Sequence, residues 1–120
     1  MSTRDGSQPL TPAVFHILLA LADEERHGYG IMKQVQIDSQ GRVNMGAGTL
    51  YGSLKRMLDA GLVVESDKRT DPALDDARRI YYKITASGET ALRNELERYK
   101  HIIGRARELR LSPRVLSYGK

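Results

Sequence analysis

The chain has 120 residues, no cysteine and a formal net charge of +4 at pH 7. This length allows one small domain, and the missing thiols exclude disulfides and thiolate metal sites. Hydrophobic residues make up 40% of the chain, as in globular proteins. No apolar run reaches the roughly 18 residues of a membrane span, and the first ten residues lack the order of a secretion signal. We therefore expect a soluble, cytoplasmic protein.

The positive charge is concentrated towards the C-terminus. Residues 1–41 carry a net charge of −2, residues 42–83 carry +2 and residues 84–120 carry +4. A pI near 9.5 favours polyanionic partners such as nucleic acid, although a modest positive charge is also compatible with ordinary solubility.

Three helices are predicted in the first half of the chain. Thr11 followed by Pro12 is a helix-start signal, because a capping side chain precedes a proline in the first turn. The segment that follows is apolar nearly all round, which indicates a buried helix. Two further segments place apolar residues on one helical face and are bounded by polar or glycine-containing turns. The predicted helices span residues 12–22, 29–39 and 47–60.

After Gly61 the apolar period changes to two. This predicts an antiparallel hairpin with strands over 62–65 and 80–84, joined by a long, mobile tip over 67–78. A fourth helix is expected from Thr85. Three helices, a hairpin and a long helix make a mainly α fold of the winged helix-turn-helix type. We expect a flexible tail over 1–9, a winged-helix DNA-binding domain over 10–85, a dimerisation helix over 86–111 and a second tail over 112–120.

The third predicted helix has an unusual outer face. Its leucines and methionine cover one arc of about 100°, whereas the opposite arc holds glycines and cations. Each interior glycine costs a helix about 1 kcal/mol relative to alanine. Small residues allow a helix backbone to approach a groove closely, and the major groove of DNA, about 12 Å wide, accepts a helix. We therefore predict DNA contacts from Gly48, Thr49, Tyr51, Gly52, Lys55 and Arg56.

Other interpretations of this helix stay open. Gly46 and Gly48 also suit the preceding turn, and Lys55 and Arg56 also suit a solvated surface. Tyr51 is equally compatible with a core aromatic residue whose hydroxyl reaches water.

Three ordered segments resemble the PadR family of bacterial transcriptional regulators. They are HGYGIMKQV (27–35), GAGTLYGSLKRMLDAGLV (46–63) and RRIYYKITASGETAL (78–92). The resemblance implies a homodimeric repressor that binds a pseudo-palindromic operator in double-stranded DNA. It also implies that a small-molecule effector, bound near the dimer interface, releases the operator. The side chains that it places against DNA are Thr49, Tyr51, Lys55 and Arg56 on the third helix, and Arg78 and Arg79 on the wing.

The chain departs from the family pattern at three places. Gly52 stands where the family usually has proline, and Gly30 stands where an acidic residue is frequent. DDARRI (75–80) replaces a more basic wing sequence. Because the aspartates of the tip would repel phosphate, we expect Arg78 and Arg79 at its base to contact DNA in place of the tip.

The fourth helix carries apolar residues at alternating spacings of four and three. They fit barely two heptads of a coiled coil. A two-fold operator places two recognition helices one duplex turn apart, so its reader must be a dimer. The alternative is that this face packs on its own domain. The predicted dimer seam consists of Leu92, Leu96, Tyr99, Ile103 and Ala106.

No enzymatic site is indicated by the sequence. His16, His27 and His101 are scattered without partners at metal-ligand spacing, and His16 is interpreted as a hydrogen-bonded core histidine. GAGT (46–49) lacks the Gly-Lys-Ser/Thr of a phosphate loop. We therefore predict no catalytic residue, metal or cofactor. The alternative to a DNA-binding regulator is a winged-helix module that docks an acidic protein through Tyr51 and the basic face.

Overall fold

A computed structural model describes residues 8–66 and 80–111, which form four helices and a small sheet. The helices are α1 (Pro12–Leu21), α2 (Gly28–Asp38), α3 (Ala47–Asp59) and α4 (Ala86–Glu108). The strands are β1 (Arg26–His27), β2 (Val63–Ser66) and β3 (Tyr81–Ile84). Every predicted helix and strand is present and begins within one residue of its expected position. The predicted hairpin tip and most of both predicted tails lie outside the described residues.

The sheet has three strands in the order β1-β3-β2, where the sequence indicated only two. β2 and β3 are antiparallel, with Val63 opposite Ile84, which confirms the predicted pairing. β1 adds to the other edge of β3, with Arg26 opposite Tyr82. A strand of two residues is too short for its side chains to show an alternating pattern, so β1 left no signal in the sequence.

The hydrophobic core is built around α1. This helix is apolar nearly all round because α2, α3, α4 and the sheet cover it from several sides. None of the four described helices combines the length and the apolar composition of a membrane span. The largest side chains that are almost fully buried are Ile17, Leu18, Ile31, Val35, Leu50, Leu54, Met57 and Val63.

The junction between α3 and α4 is tightly fixed by hydrogen bonds. Gly61 ends α3 with a φ of +78°, a conformation that favours glycine. The Thr85 hydroxyl donates to the Gly61 carbonyl at 2.6 Å and accepts from the Gly88 N–H at 3.0 Å. A Cβ on Gly88 would lie only 2.2 Å from the Leu62 carbonyl oxygen. The start of α4 therefore packs directly on the backbone that leaves α3.

Candidate nucleic-acid interface

The two faces of α3 differ as the sequence predicts. Leu50, Leu54 and Met57 are buried in the core, and Leu58 is half-buried against it. The opposite arc lies on the surface of the described structure and carries the predicted DNA-binding residues of this helix. α3 therefore presents small and basic side chains outwards, while its apolar side chains hold it to the domain.

The glycines on the outer arc are not required by the packing of the described residues. A Cβ on Gly48 would meet no described atom within 4 Å, and a Cβ on Gly52 would meet only the Arg56 guanidinium, at 3.8 Å. Gly46 is the N-cap residue of α3, as the turn interpretation expects, whereas Gly48 lies inside the helix. The space beside Gly48 and Gly52 is thus available to a partner.

The N-terminus of α3 also differs from those of the other helices. The side chains of Thr11, His27 and Thr85 each accept a hydrogen bond from a backbone N–H in the first turn of α1, α2 and α4, respectively. No side chain of the described residues caps α3 in this way. The first N–H groups of a helix carry partial positive charge, and here they face a surface to which DNA phosphate could come close.

The polar side chains of the outer arc are exposed. Thr49 and Lys55 project from it, and the Arg56 guanidinium donates a long hydrogen bond, of 3.4 Å, to the buried Ser53 hydroxyl. Asp59 is the acidic residue on the same arc, at the C-terminal end of the helix. The structure therefore brings Thr49, Lys55 and Arg56 to one surface with the two glycines.

Tyr51 combines features of both interpretations of its role. Its side chain is 46% exposed on the flank of α3. Its hydroxyl, however, points towards α2, because a Cβ on Gly28 would lie 2.1 Å from Tyr51 Oη. Burial, followed by the proximity of Tyr51 and Glu65, raises the pKa of Tyr82. Tyr51 therefore contacts the start of α2 with its hydroxyl while leaving part of its ring in solvent.

The predicted dimer residues on α4 fall into two groups. Leu92 is buried in the core of its own domain, which corrects its placement in the seam, since it cannot reach a partner without unpacking that core. Leu96 and Tyr99 are 44% and 39% exposed, and Ile103 and Ala106 are half-buried. Ile102 and Leu109, which the seam omitted, are 59% and 50% exposed. An apolar surface thus begins at Leu96 and continues along the C-terminal half of α4.

A buried carboxylate marks the boundary between these groups, and sequence reasoning missed it. Glu95 is 3% exposed and accepts hydrogen bonds from Arg98, from Tyr99 and, at 3.3 Å, from the Leu10 N–H. Burial acts to raise the pKa of Glu95, but these hydrogen bonds outweigh it and hold the pKa below its usual range. Arg98 also donates to the Gln8 carbonyl at 2.8 Å. The cluster fastens the segment before α1 to α4.

Arg26, a basic residue outside α3, has a structural role. Arg26 donates to the Ala20 carbonyl at 2.7 Å and pairs with Asp23 and Glu24 at 3.2 and 3.4 Å, so it stabilises the turn after α1.

His16 is half-buried, and its Nδ1 has no hydrogen-bond partner among the described residues, contrary to the expectation of a hydrogen-bonded core histidine. Within the described residues, no group of His, Cys, Asp and Glu could hold a metal ion. Arg78 and Arg79 lie outside the described residues.

Comparison with known proteins identifies the class of this fold. The model of the transcriptional regulator PadR-like family matches residues 17–94, which is more than half of the chain. The protein therefore belongs to the PadR-like family of transcriptional regulators, as the sequence segments indicated. Its function is DNA-binding regulation of transcription, and it is not an enzyme. No curated protein matches the chain significantly.

Solved structures share the winged-helix fold. A PadR family regulator from Clostridium difficile R20291 has 23% identity and a TM-score of 0.66, over 82% of this chain and 98% of that one. RosR of H. salinarum has 27% identity and a TM-score of 0.64, over 81% and 80%. PadR of Bacillus subtilis, solved in complex with operator DNA, has 22% identity and a TM-score of 0.61, over 74% of this chain and 48% of that one.

Proposed function

We propose that this regulator binds a pseudo-palindromic operator as a homodimer, with the outer arc of α3 in the major groove. The observation that carries the proposal is the open space beside Gly48 and Gly52 on a helix whose apolar face packs on the core. The first turn of α3 carries no acidic side chain that would repel phosphate from its N–H groups. Thr49, Lys55 and Arg56 supply hydrogen-bond donors around the glycines. Bacillus subtilis PadR, which shares this fold, was solved in complex with operator DNA, and this supports an operator as the partner.

The dimer in this proposal is formed by the C-terminal half of α4. The residues of this surface lie at helical spacings of three and four. They continue the face of α4 that, nearer its N-terminus, packs against the domain. They are Leu96, Tyr99, Ile102, Ile103 and Ala106. Exposed apolar side chains that form a continuous surface are characteristic of protein–protein contacts. A second α4 presents the same apolar surface, and two-fold pairing would set two α3 helices on one duplex.

Repression and its release by a small molecule complete the proposal, together with a cytoplasmic location. The Tyr99 ring lies 5.2 Å from the Phe15 ring, between the domain core and the proposed dimer surface. A planar effector stacked at these rings would be positioned to change how α4 meets the domain. The protein-interaction module is not favoured, because the family consists of transcriptional regulators.

Selection from a random pool of DNA duplexes tests the proposal. The purified protein should enrich one imperfect palindrome, hereafter the selected duplex, and should bind it far more tightly than a scrambled duplex of the same composition. Arg56→Ala should weaken this binding by about 1–3 kcal/mol and relax the preference at one base position in each half-site. Equal, strongly salt-dependent binding to both duplexes would contradict the proposal, because charge alone explains it.

A further inference from the structure

The first turns of α2 expose an ordered aromatic and cationic pair. Tyr29 is 63% exposed, and the Lys33 Nζ lies 5.7 Å from the centre of its ring. The His27 ring stacks beside Tyr29 at 6.4 Å between centroids and meets the Tyr81 ring edge-on at 5.2 Å. Tyr29 therefore has His27 and Lys33 as neighbours, while its own ring contributes little to the core. We call Tyr29 and Lys33 the α2 pair.

The α2 pair lies beside the outer arc of α3. Gly28, the residue before Tyr29, touches the hydroxyl of Tyr51 on the flank of α3. Tyr29 and Lys33 also line a shallow cleft that runs to Asn44 and Met45, just before the N-terminus of α3. The surface of the α2 pair is thus continuous with the surface that we propose for the major groove.

The chemistry of this surface fits phosphate. A tyrosine hydroxyl and a lysine ammonium are both hydrogen-bond donors to phosphate oxygens, and the ammonium adds a positive charge. Residues 26–37, all of them described, contain no aspartate or glutamate. Asp38, at the far end of α2, accepts a hydrogen bond from the Gln34 amide at 2.9 Å. No carboxylate of α2 therefore opposes an anion at the α2 pair.

We propose that Tyr29 and Lys33 bind backbone phosphates of the DNA strand that borders the major groove occupied by α3. This inference rests on the proposed function and adds two residues that lie in the family-like segment 27–35 but were given no DNA-binding role by the sequence patterns or by the resemblance. Base contacts from α3 set the sequence preference, whereas phosphate contacts from α2 fix the position of the domain on the duplex. The α2 pair thus contributes affinity for any sequence.

Lys33→Gln and Tyr29→Phe test the inference, with Lys100→Gln on the exposed surface of α4 as the matched control. Lys33→Gln should weaken binding to the selected and the scrambled duplex by the same factor. It should also lower the slope of log affinity against log salt by about 0.9, the value for one released counterion. Tyr29→Phe keeps the ring beside Lys33 and should weaken binding by about threefold to tenfold. Lys100→Gln should leave affinity and slope unchanged.

The outcomes separate this inference from the proposed function. If Arg56→Ala weakens binding while Lys33→Gln and Tyr29→Phe retain the wild-type affinity and salt slope, the α2 pair does not touch DNA. A loss confined to the selected duplex would also overturn the inference, because it would assign base reading to α2. Wild-type protein that fails to distinguish the two duplexes contradicts the proposed function itself. Thermal unfolding of each variant shows that the fold is intact in these comparisons.

Discussion

Helices α3 and α4 each carry one apolar face, but they differ in what they expose to water. α3 exposes its polar face, whereas α4 exposes much of its apolar face. α3 packs its apolar face on the core, with only Leu58 half-buried, and exposes glycines, a threonine and cations. α4 buries its apolar face only as far as Glu95, and from Leu96 onwards that face is largely exposed. The two exposed surfaces call for different partners: small and basic side chains suit an anionic groove, whereas apolar side chains suit another apolar surface.

The same contrast is visible in the glycines of the two helices. Gly88, at the start of α4, cannot carry a Cβ without meeting the Leu62 carbonyl oxygen at 2.2 Å. Gly52, in the middle of α3, has room for one. Glycine is therefore required by the fold in one place and not in the other, although the sequence shows the same residue. The available space, and not the residue type, distinguishes a packing position from an interface position.

The largest effect is expected from Gly88→Ala. Its Cβ would press on backbone that Thr85 already holds, so the neighbouring atoms cannot move aside easily. We expect the free energy of unfolding to fall by about 3 kcal/mol, at the upper end of the usual cost of overpacking. Urea denaturation at fixed protein concentration measures it. A stability within about 0.5 kcal/mol of the wild type, the range of neutral surface substitutions, would show that this junction is not rigid.

Ile102→Glu should dissociate the proposed α4 dimer. A carboxylate in an apolar contact has no partner, so the dimer dissociation constant should rise by about a hundredfold or more. His101→Glu introduces the same side chain one residue earlier, on the opposite and exposed face of α4, and should leave the dimer intact. Sedimentation equilibrium compares the two variants. Dimerisation of both to the same extent would place the interface elsewhere.

Glu95→Gln tests the boundary between the buried and exposed parts of α4. Because folding lowers the pKa of Glu95, its contribution to stability is present above the ordinary carboxyl value of 4.5 and is lost as pH falls through the folded pKa. We expect the variant to lose about 1–2 kcal/mol at neutral pH, since a hydrogen-bonded charge is replaced by an amide. The difference from wild type should shrink in acid. A difference that does not change with pH would show that Glu95 is held by shape alone.

The smallest effect, a gain in stability, is expected from Gly52→Ala. Alanine in the interior of a helix is favoured over glycine by about 1 kcal/mol, and the new methyl group meets nothing closer than 3.8 Å among the described atoms. Gly104→Ala on α4 is the matched control, because a Cβ there also has no described neighbour within 4 Å. Both variants should unfold at higher urea concentration than the wild type. A destabilised Gly52→Ala would mean that the outer arc of α3 is packed.

The elements of this fold were predictable where the apolar pattern repeats often enough. α3 shows its buried face through Leu50, Leu54 and Met57, and the start of α4 is signalled by the capping threonine Thr85. β1 was not predictable, because two residues show no period. The placement of Leu92 was wrong because the buried and exposed parts of α4 share one apolar pattern.

For the candidate DNA-binding site, the outer arc of α3 was predictable from the sequence, but the surrounding residues were not. The outer arc of α3 followed from helical spacing, and its DNA-contacting residues stay predictions, as do Arg78 and Arg79. Tyr29 and Lys33 lie in the family-like segment 27–35, but nothing in the sequence marked them as contacts, since an exposed tyrosine and lysine on a helix are ordinary. Glu95 interrupts an apolar face, which is a detectable feature, but its partner Leu10 lies 85 residues away along the chain.

Binding of Gly52→Ala and Gly104→Ala to the selected duplex tests the central claim most directly. If the outer arc of α3 enters the major groove, the added methyl group on Gly52 stands between the helix and the bases. Gly52→Ala should then bind at least about tenfold more weakly than the wild type, a loss of about 1.4 kcal/mol, although it is the more stable protein. Gly104→Ala should bind as the wild type does. Equal affinity of the two variants for the selected duplex would contradict the placement of α3 in the groove.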